Sequence, residues 1–128
     1  MLFRSGFKKN KPKAKYIQFL NEVDSEYIRA HLIKSTRVLN EYLTPECIQK
    51  ISQSIYGGVS RYFGVDCFRN TTWEIISATE NRIDFRKSVV YDKVKISPTL
   101  KISAADNYRE LWSLDIESMR IFDIQTLA

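Results

Sequence analysis

The sequence predicts an α+β domain in which an N-terminal antiparallel helix pair packs on a curved antiparallel sheet of four or five strands. The first observation is that apolar residues recur about every four positions before Asn70 and about every two after it. The second is a helix-start signal at Thr44-Pro45-Glu46, after a short link that favours antiparallel neighbours. Helices followed by strands in this order bury their apolar faces against one side of a sheet.

The first helix is predicted between Tyr16 and Leu43. Apolar side chains recur there at helical spacing, namely Tyr16, Leu20, Val23, Tyr27, Ile28, Leu32, Leu39 and Leu43. Asp24 and Ser25 offer a cap for a break in this stretch. One long helix and two shorter ones both fit the pattern.

The second helix begins at Thr44, whose hydroxyl suits the N-cap and is followed by a proline and an acid. Its predicted apolar face comprises Ile48, Ile51, Ile55, Val59 and Tyr62. Gly64 is placed to end it. The Gly57–Gly58 pair lies within the helix, which predicts a close backbone approach or a bend at that point.

Strands are predicted from Thr71 onward. Residues 71–79 are rich in β-branched side chains, and residues 80–81 form a short hairpin turn into the next strand. In that strand Ile83 and Phe85 point one way and Arg82, Asp84 and Arg86 the other. The apolar parity shifts by Val94 and Ile96, which predicts a bulge or an extra turn and hence a curved sheet.

The C-terminal third allows two interpretations. A turn at residues 97–99 precedes a strand that begins at Leu100 and Ile102. Over residues 104–124, Ser103 and Asp106 resemble a helix capping box, whereas Trp112, Leu114 and Ile116 alternate as in a strand. We favour a hairpin of two strands with its turn at residues 117–118.

The net charge of +5 is concentrated at the N-terminus. Residues 1–15 hold six of the twenty basic residues and no acid, which leaves fourteen basic residues against fifteen acids in the rest of the 128-residue chain. Repulsion between these charges and the lack of apolar periodicity predict a flexible basic arm over residues 1–15 and a single domain over residues 16–128. The pI of 9.2 therefore reflects an arm rather than a basic folded surface.

The apolar runs and the cysteines of the sequence also indicate the cellular compartment. No apolar run approaches the roughly 20 residues needed to span a bilayer, and no secretory h-region follows Lys8 and Lys9. Cys47 and Cys67 are expected near opposite ends of the second helix, too far apart to pair. Free thiols favour a reducing compartment, so we predict a cytoplasmic protein without a membrane span.

Catalytic and metal-binding chemistry is sparse. His31 is the single histidine and is interpreted as structural, as is Cys47, since the antiparallel arrangement places the two too far apart to hydrogen-bond. Two cysteines and one histidine match no zinc spacing, and phosphate-binding glycine motifs are absent. Asp84 with Arg82 and Arg86 favours a solvated charge ladder rather than acid–base machinery. No cofactor, metal or catalytic residue is predicted.

The leading hypothesis is a non-enzymatic protein-binding module, for which a small bacterial inhibitor such as a toxin-neutralising immunity protein is an illustration. Buried aromatic or arginine anchors supply affinity in such interfaces. The candidate anchors are Trp73, Arg82, Arg86 and Trp112.

Two alternatives stay open. The first is nucleic-acid binding by the arm, in which Lys8, Lys9, Lys11, Lys13 and Lys15 neutralise phosphates. The second is a small-ligand or enzyme pocket inside the curved sheet, built from carboxylate and tyrosine groups. None of these three hypotheses predicts an oligomeric state.

Overall fold

The computed structural model describes residues 11–57, 69–91 and 107–127. In chain order they form helix α1 (Ala14–Ile33), a 3-10 helix (Arg37–Leu39), helix α2 (Pro45–Gly57) and strands β1 (Arg69–Ala78), β2 (Arg82–Tyr91), β3 (Tyr108–Asp115) and β4 (Arg120–Leu127). The four strands form one open antiparallel sheet in the order β1-β2-β3-β4. This confirms the α+β prediction.

Several predicted features lie outside the described residues. They are the arm through residue 10, the end of the second helix with Gly58, Val59, Tyr62 and Gly64, the residue Cys67, and the proposed irregularity and strand over residues 94–102. The flexible arm and the single domain stay predictions. Helix α1 begins at Ala14, so the last two residues of the predicted arm, Ala14 and Lys15, are helical.

Helix α1 is continuous through Asp24 and Ser25, which settles the choice between one helix and two over this stretch. It ends at Ile33 because Lys34 adopts a left-handed conformation, with φ of 55°, and its N–H donates to the Ala30 carbonyl. Leu39 and Leu43, expected on the same helix, lie beyond that stop.

The connection between the helices is longer than predicted and folds back along α1. Tyr42 donates its hydroxyl to Glu22 at 3.0 Å, so the connection returns to the first half of α1 before α2 begins. Near the other end, His31 contacts Ser54 at 3.2 Å. The C-terminal ends of α1 and α2 are therefore neighbours, and the helices run in the same sense, unlike the antiparallel arrangement that a short link favours.

The predicted start of α2 is confirmed by its cap. The Thr44 hydroxyl accepts a hydrogen bond from the Cys47 N–H at 3.2 Å. The Thr44 N–H donates to the Ile121 carbonyl and the Ile121 N–H donates to the Tyr42 carbonyl, which attaches the helix start to the edge of β4. A Cβ at Gly57 would meet nothing within 4 Å, so the predicted close approach does not occur at this glycine.

Both predicted hairpins are present. The Thr79 N–H donates to the Arg82 carbonyl at 2.8 Å and closes a two-residue loop at residues 80–81. The C-terminal segment is strand, turn and strand, as favoured, although Ile116 lies in the turn rather than in β3. Bulges interrupt the register near Ile75 of β1 and beside Ser113 of β3, and bulges of this kind bend a sheet locally.

The core lies between the helices and one face of the sheet, here named the inner face. Trp73 and Trp112 meet edge to face with ring centroids 5.0 Å apart, and Tyr27 of α1 lies 5.5 Å from Trp112. The buried apolar residues of this layer include Leu20, Val23, Leu39, Leu43, Ile51, Ile55, Ile83, Phe85, Leu114, Ile121 and Ile124. Side chains on the opposite face of the sheet form the outer face.

Ile55 tests this description of the core because it is fully buried, whereas Ile33 is 51% exposed. We expect Ile55→Ala to lower the free energy of unfolding by about 2–5 kcal/mol through lost contacts and a residual cavity. Ile33→Ala, with the same chemical change, should lower it by about 0.5 kcal/mol or less. Urea unfolding followed by circular dichroism measures both; equal losses would contradict the proposed core.

Candidate functional site

The outer face presents the charged residues that the sequence pattern placed opposite Ile83 and Phe85. The side chains of Arg82 and Arg86 are 47% and 35% exposed, whereas Phe85 between them is fully buried. Strand alternation therefore brings the two predicted arginine anchors to the surface, on the same strand and the same face.

Arg82 is held in place by its neighbours. Its guanidinium lies 4.9 Å from the centroid of the Phe122 ring and donates to Asp84 at 2.8 Å and to Ser113 at 3.4 Å. Asp84 also accepts hydrogen bonds from Ser77 and Ser113, each at 2.7 Å. Partial burial raises the pKa of Asp84, but the bonds from Arg82 and the two serines outweigh it and lower the pKa overall. Asp84 is therefore ionised at neutral pH, and both of its oxygens already accept hydrogen bonds.

Arg86 forms a cross-strand ion pair with Glu74, which is its register partner on β1. The predicted cross-strand ladder is therefore present at Arg86, whereas Arg82 pairs with Asp84 of its own strand. The carboxylates are occupied by guanidinium and hydroxyl donors, as expected for a structural ladder.

Arginine and lysine are distributed unequally over the described strands. By the register of the sheet, the outer face carries four arginines, which are Arg82, Arg86, Arg109 and Arg120. The only lysine within the described strands, Lys87, faces inward. Arginine enrichment with lysine depletion is typical of protein–protein interfaces.

One end of the outer face is concave. A cavity of about 290 Å³ is lined in part by Ser88, Val90, Arg109 and Leu127, which the register places together on that face. Val90 is 48% exposed although it is apolar. This end offers an apolar recess beside a cationic side chain.

The two tryptophans proposed as surface anchors are in the core instead. Trp112 is fully buried and Trp73 is 8% exposed. Their indole N–H groups already have acceptors, Glu110 for Trp112 at 3.0 Å and Asn21 for Trp73 at 2.8 Å. Their alternation in the sequence marked the apolar face correctly, but that face packs against α1. They are therefore corrected from candidate anchors to core residues.

The inner face holds a buried charge cluster that was not predicted from the sequence. The Lys87 ammonium is fully buried and contacts Asp24 of α1 at 2.5 Å and Glu110 of β3 at 3.3 Å. Arg69, at the start of β1, pairs with the other oxygen of Asp24 at 2.9 Å. Two cations and two carboxylates thus join the first helix to three strands with balanced charge.

Aromatic rings surround the ammonium group of Lys87. The centroids of Tyr27, Tyr108 and Trp112 lie 5.2, 5.3 and 5.0 Å from its Nζ, within the range of cation–π attraction. Burial lowers the pKa of Lys87, but the opposing effect of Glu110 and Asp24 is larger. The pKa therefore lies above its ordinary value, and the amine stays charged at neutral pH. A lysine that is protonated at neutral pH is not poised to act as a nucleophile or base there.

The buried polar atoms of the cluster are hydrogen-bonded to one another. Among the described residues, no buried side-chain nitrogen or oxygen lacks a partner. Tyr27 donates to Glu110 at 3.4 Å, and burial together with that carboxylate raises the pKa of Tyr27 well above its usual value. We therefore assign the cluster a structural role.

A second concavity lies on the helix side of the sheet, between α2 and β4. Its volume is about 330 Å³, and the lining includes Lys50, Ser54, Glu110 and Gln125. Ser54 is exposed, and its hydroxyl lies 3.2 Å from Nε2 of the buried His31. His31 thus has a structural environment, as predicted, but it also contacts a hydroxyl at the cleft, which the antiparallel interpretation could not anticipate.

The lysines of the nucleic-acid alternative are only partly within the described residues. Lys8 and Lys9 fall outside them. Lys11, Lys13 and Lys15 are exposed, and Lys15 lies in α1 with its ammonium 5.0 Å from the centroid of the Tyr16 ring. These positions leave the alternative a prediction.

Cys47 is 1% exposed in the first turn of α2. Burial raises the pKa of its thiol to about 12, and the nearby Asp123 acts in the same direction. This outweighs any lowering by the helix dipole, so the thiol is protonated at neutral pH, in agreement with a structural cysteine.

In the part of the chain that the structure describes, no group of three or more histidine, cysteine, aspartate or glutamate residues is arranged to hold a metal ion. None of the helices in that part is long and apolar enough to cross a membrane.

Comparison with models of protein families, with curated proteins and with solved structures finds no match for this chain. The functional argument therefore depends on the residues themselves.

The structural role of the buried cluster can be tested by comparing two ion pairs with the same N–O distance of 2.5 Å, the buried Lys87–Asp24 and the exposed Lys50–Asp123. Lys87→Met leaves two buried carboxylates with reduced compensation and should lower the free energy of unfolding by about 3–5 kcal/mol. Lys50→Met breaks a pair whose lysine side chain is 50% exposed and should lower it by about 1 kcal/mol or less. Urea unfolding compares them. If Lys87→Met were no more damaging than Lys50→Met, the cluster would not hold the helix to the sheet.

The raised pKa of Cys47 predicts slow alkylation. In a Cys67→Ser background, iodoacetamide at pH 8 should modify folded Cys47 at least about a thousandfold more slowly than the urea-unfolded chain, because the pKa is about 12 rather than 9.0 and the thiol is buried. Mass spectrometry of timed samples measures the ratio. Similar rates in the two states would show that the first turn of α2 opens readily.

Proposed function

We propose that this protein acts by binding another protein through the outer face of its sheet. The observation that carries the proposal is the composition of that face, where four arginines and an aromatic ring occur without a lysine among the described strands. Lysine is common on ordinary solvated surfaces, whereas arginine and aromatic residues are enriched in interfaces and among their energetic hot spots.

The setting of Arg82 supports this proposal. Its guanidinium is already oriented by the Phe122 ring and by Asp84, so little side-chain entropy remains to be lost when a partner docks. Nearly half of the side chain stays exposed and can meet a carboxylate or a carbonyl of the partner. The cavity beside Val90 and Leu127 offers an apolar recess for a partner side chain on the same face.

The size of the face is adequate for a specific complex. Strands of eight to ten residues, with a rise of about 3.3 Å per residue and a spacing of about 4.8 Å, give four strands a face of roughly 600 Å². A standard interface buries about 600–1,000 Å² per partner, so the outer face by itself reaches the lower end of that range.

Within this proposal, a small inhibitor that covers a surface of its target is the class we favour, with the toxin-neutralising immunity proteins as the illustration. Such a protein needs a stable platform and no chemistry of its own. The buried charge cluster and the packed inner face supply the platform. The buried, protonated thiol of Cys47 suits a reducing cytoplasm, where we place the protein.

The test uses the full chain, tagged and recovered from its native host with and without nuclease, followed by reconstitution of any stoichiometric protein partner. We expect Arg86→Ala and Arg82→Ala each to weaken the purified complex by about 30-fold or more, the effect of losing a hot-spot arginine. Arg82→Lys should also weaken it, because lysine keeps the charge but loses the planar fork. Lys15→Ala, on the helix side, should leave the affinity unchanged. Calorimetry or surface plasmon resonance measures each variant.

Two outcomes oppose the proposal. A partner that binds the Arg82 and Arg86 variants as tightly as the wild type does not use the outer face. Recovery of nucleic acid, with binding lost on removal of residues 1–15 and a steep salt dependence, would favour the basic arm instead.

A further inference from the structure

The hydrogen bond between His31 and Ser54 has the same direction as the bond between a general base and the nucleophile that it activates. Nδ1 of His31 lies 2.9 Å from the Tyr27 carbonyl oxygen, which can only accept a hydrogen bond. Nδ1 therefore carries the proton. Nε2 of the neutral ring is then an acceptor, and the Ser54 hydroxyl donates to it across 3.2 Å.

We propose that Ser54 is a nucleophile activated by His31 and that it takes an acyl group from small esters bound in the cleft between α2 and β4. The Tyr27 carbonyl serves as the group that orients the base, the position that a carboxylate occupies in a serine–histidine–aspartate triad. Ser54 is exposed to the cleft while its base is buried behind it.

The cleft also contains a cation near the hydroxyl. Lys50 precedes Ser54 by four residues on α2, so their side chains share one helix face with Cβ atoms about 6 Å apart. The Lys50 ammonium donates to Asp123 and has two further N–H groups with which to stabilise a developing oxyanion. Ile51 and Ile124 provide apolar walls, and a volume of about 330 Å³ admits only a small acyl ester.

The protonation state of His31 fits the assignment. Burial lowers its pKa below 6.5, in part opposed by the Tyr27 carbonyl. Among the described residues, the charged groups that influence the pKa of the imidazole include Glu110, which raises it, and Lys34 and Lys87, which lower it. The imidazole is consequently neutral at pH 7, the form that accepts a proton.

The reaction has two steps. Ser54 Oγ attacks the ester carbonyl as its proton moves to His31 Nε2, and the C–O bond to the alcohol breaks as His31 returns the proton to that leaving group. Water then attacks the acyl-serine by the reverse proton route and releases the carboxylic acid. This cleft lies on the helix side of the sheet, so the activity is independent of partner binding on the outer face.

Ser52 provides a matched control for the experiment. It lies two residues away on the same helix, but its hydroxyl donates to the Gln49 carbonyl, which is no base. The probe is an alkyl fluorophosphonate, which forms a P–O bond to an activated serine as fluoride leaves. The full chain is treated at pH 7.5, and the modified residue is located by peptide mass spectrometry.

We expect phosphonylation of Ser54 at least about 100-fold faster than of Ser52, the smaller end of the effect of a general base. Ser54→Ala should abolish it, Ser52→Ala should leave it unchanged, and His31→Gln should slow it by about 100-fold. The rate should fall as the pH drops through the depressed pKa of His31 and stay level from there to pH 8. Circular dichroism confirms that each variant is folded.

Equal labelling of Ser52 and Ser54 in the folded wild type would overturn the proposal. So would a folded His31→Gln variant that reacts at the wild-type rate. Hydrolysis of p-nitrophenyl acetate provides a second readout, since an initial burst of p-nitrophenol that requires Ser54 reports the acyl intermediate.

Discussion

The pairing of Lys87 with Asp24 and Glu110 is the constraint on which the arrangement of helix and sheet depends. A lone charge inside a protein is strongly unfavourable, so these residues tolerate burial only when α1, β2 and β3 are assembled together. Apolar contacts would permit α1 to slide or rotate on the sheet at modest cost. The ion pairs permit one register, in which Asp24 meets both Lys87 and Arg69.

This constraint divides the molecule into two chemically different sides. The inner face is packed around the fully buried Lys87, and the cluster meets the cleft between α2 and β4 at Glu110. The outer face carries charges of both signs that are already paired at the surface, where desolvation is incomplete and recognition is possible. Alternate residues of the same strand, β2, thus serve structural stability on the inner face and the proposed partner binding on the outer face.

Much of the fold followed from the sequence because it depends on local pattern. The helix cap at Thr44, the turn at residues 80–81 and the inward alternation of Ile83 and Phe85 needed no tertiary information. The burial of Trp73 and Trp112 did not follow from the local pattern, since alternation tells which side chains share a face but not which face is covered. Lys87 and Glu110 are charged residues at inward positions of their strands, so the same alternation could have predicted that they are buried.

The relation of His31 to Ser54 was out of reach for a different reason. Its prediction required the path of residues 34–44, and their sequence resembles a continuation of the first helix. A left-handed Lys34 stops that helix, and the chain returns along it before α2 starts. A single backbone conformation thereby changes the relative direction of two helices and the pairing of their side chains.

The long sequence separation between α1 and the strands that it contacts has a consequence for how the molecule assembles. The hairpins β1–β2 and β3–β4 join near neighbours in the chain and can form early, whereas the Tyr27–Glu110 contact spans 83 residues and the Lys87–Asp24 contact 63. Closing such long loops is entropically costly and rewarded only at the end. The transition state of folding is therefore expected to hold a largely formed sheet on which the helical layer has yet to lock.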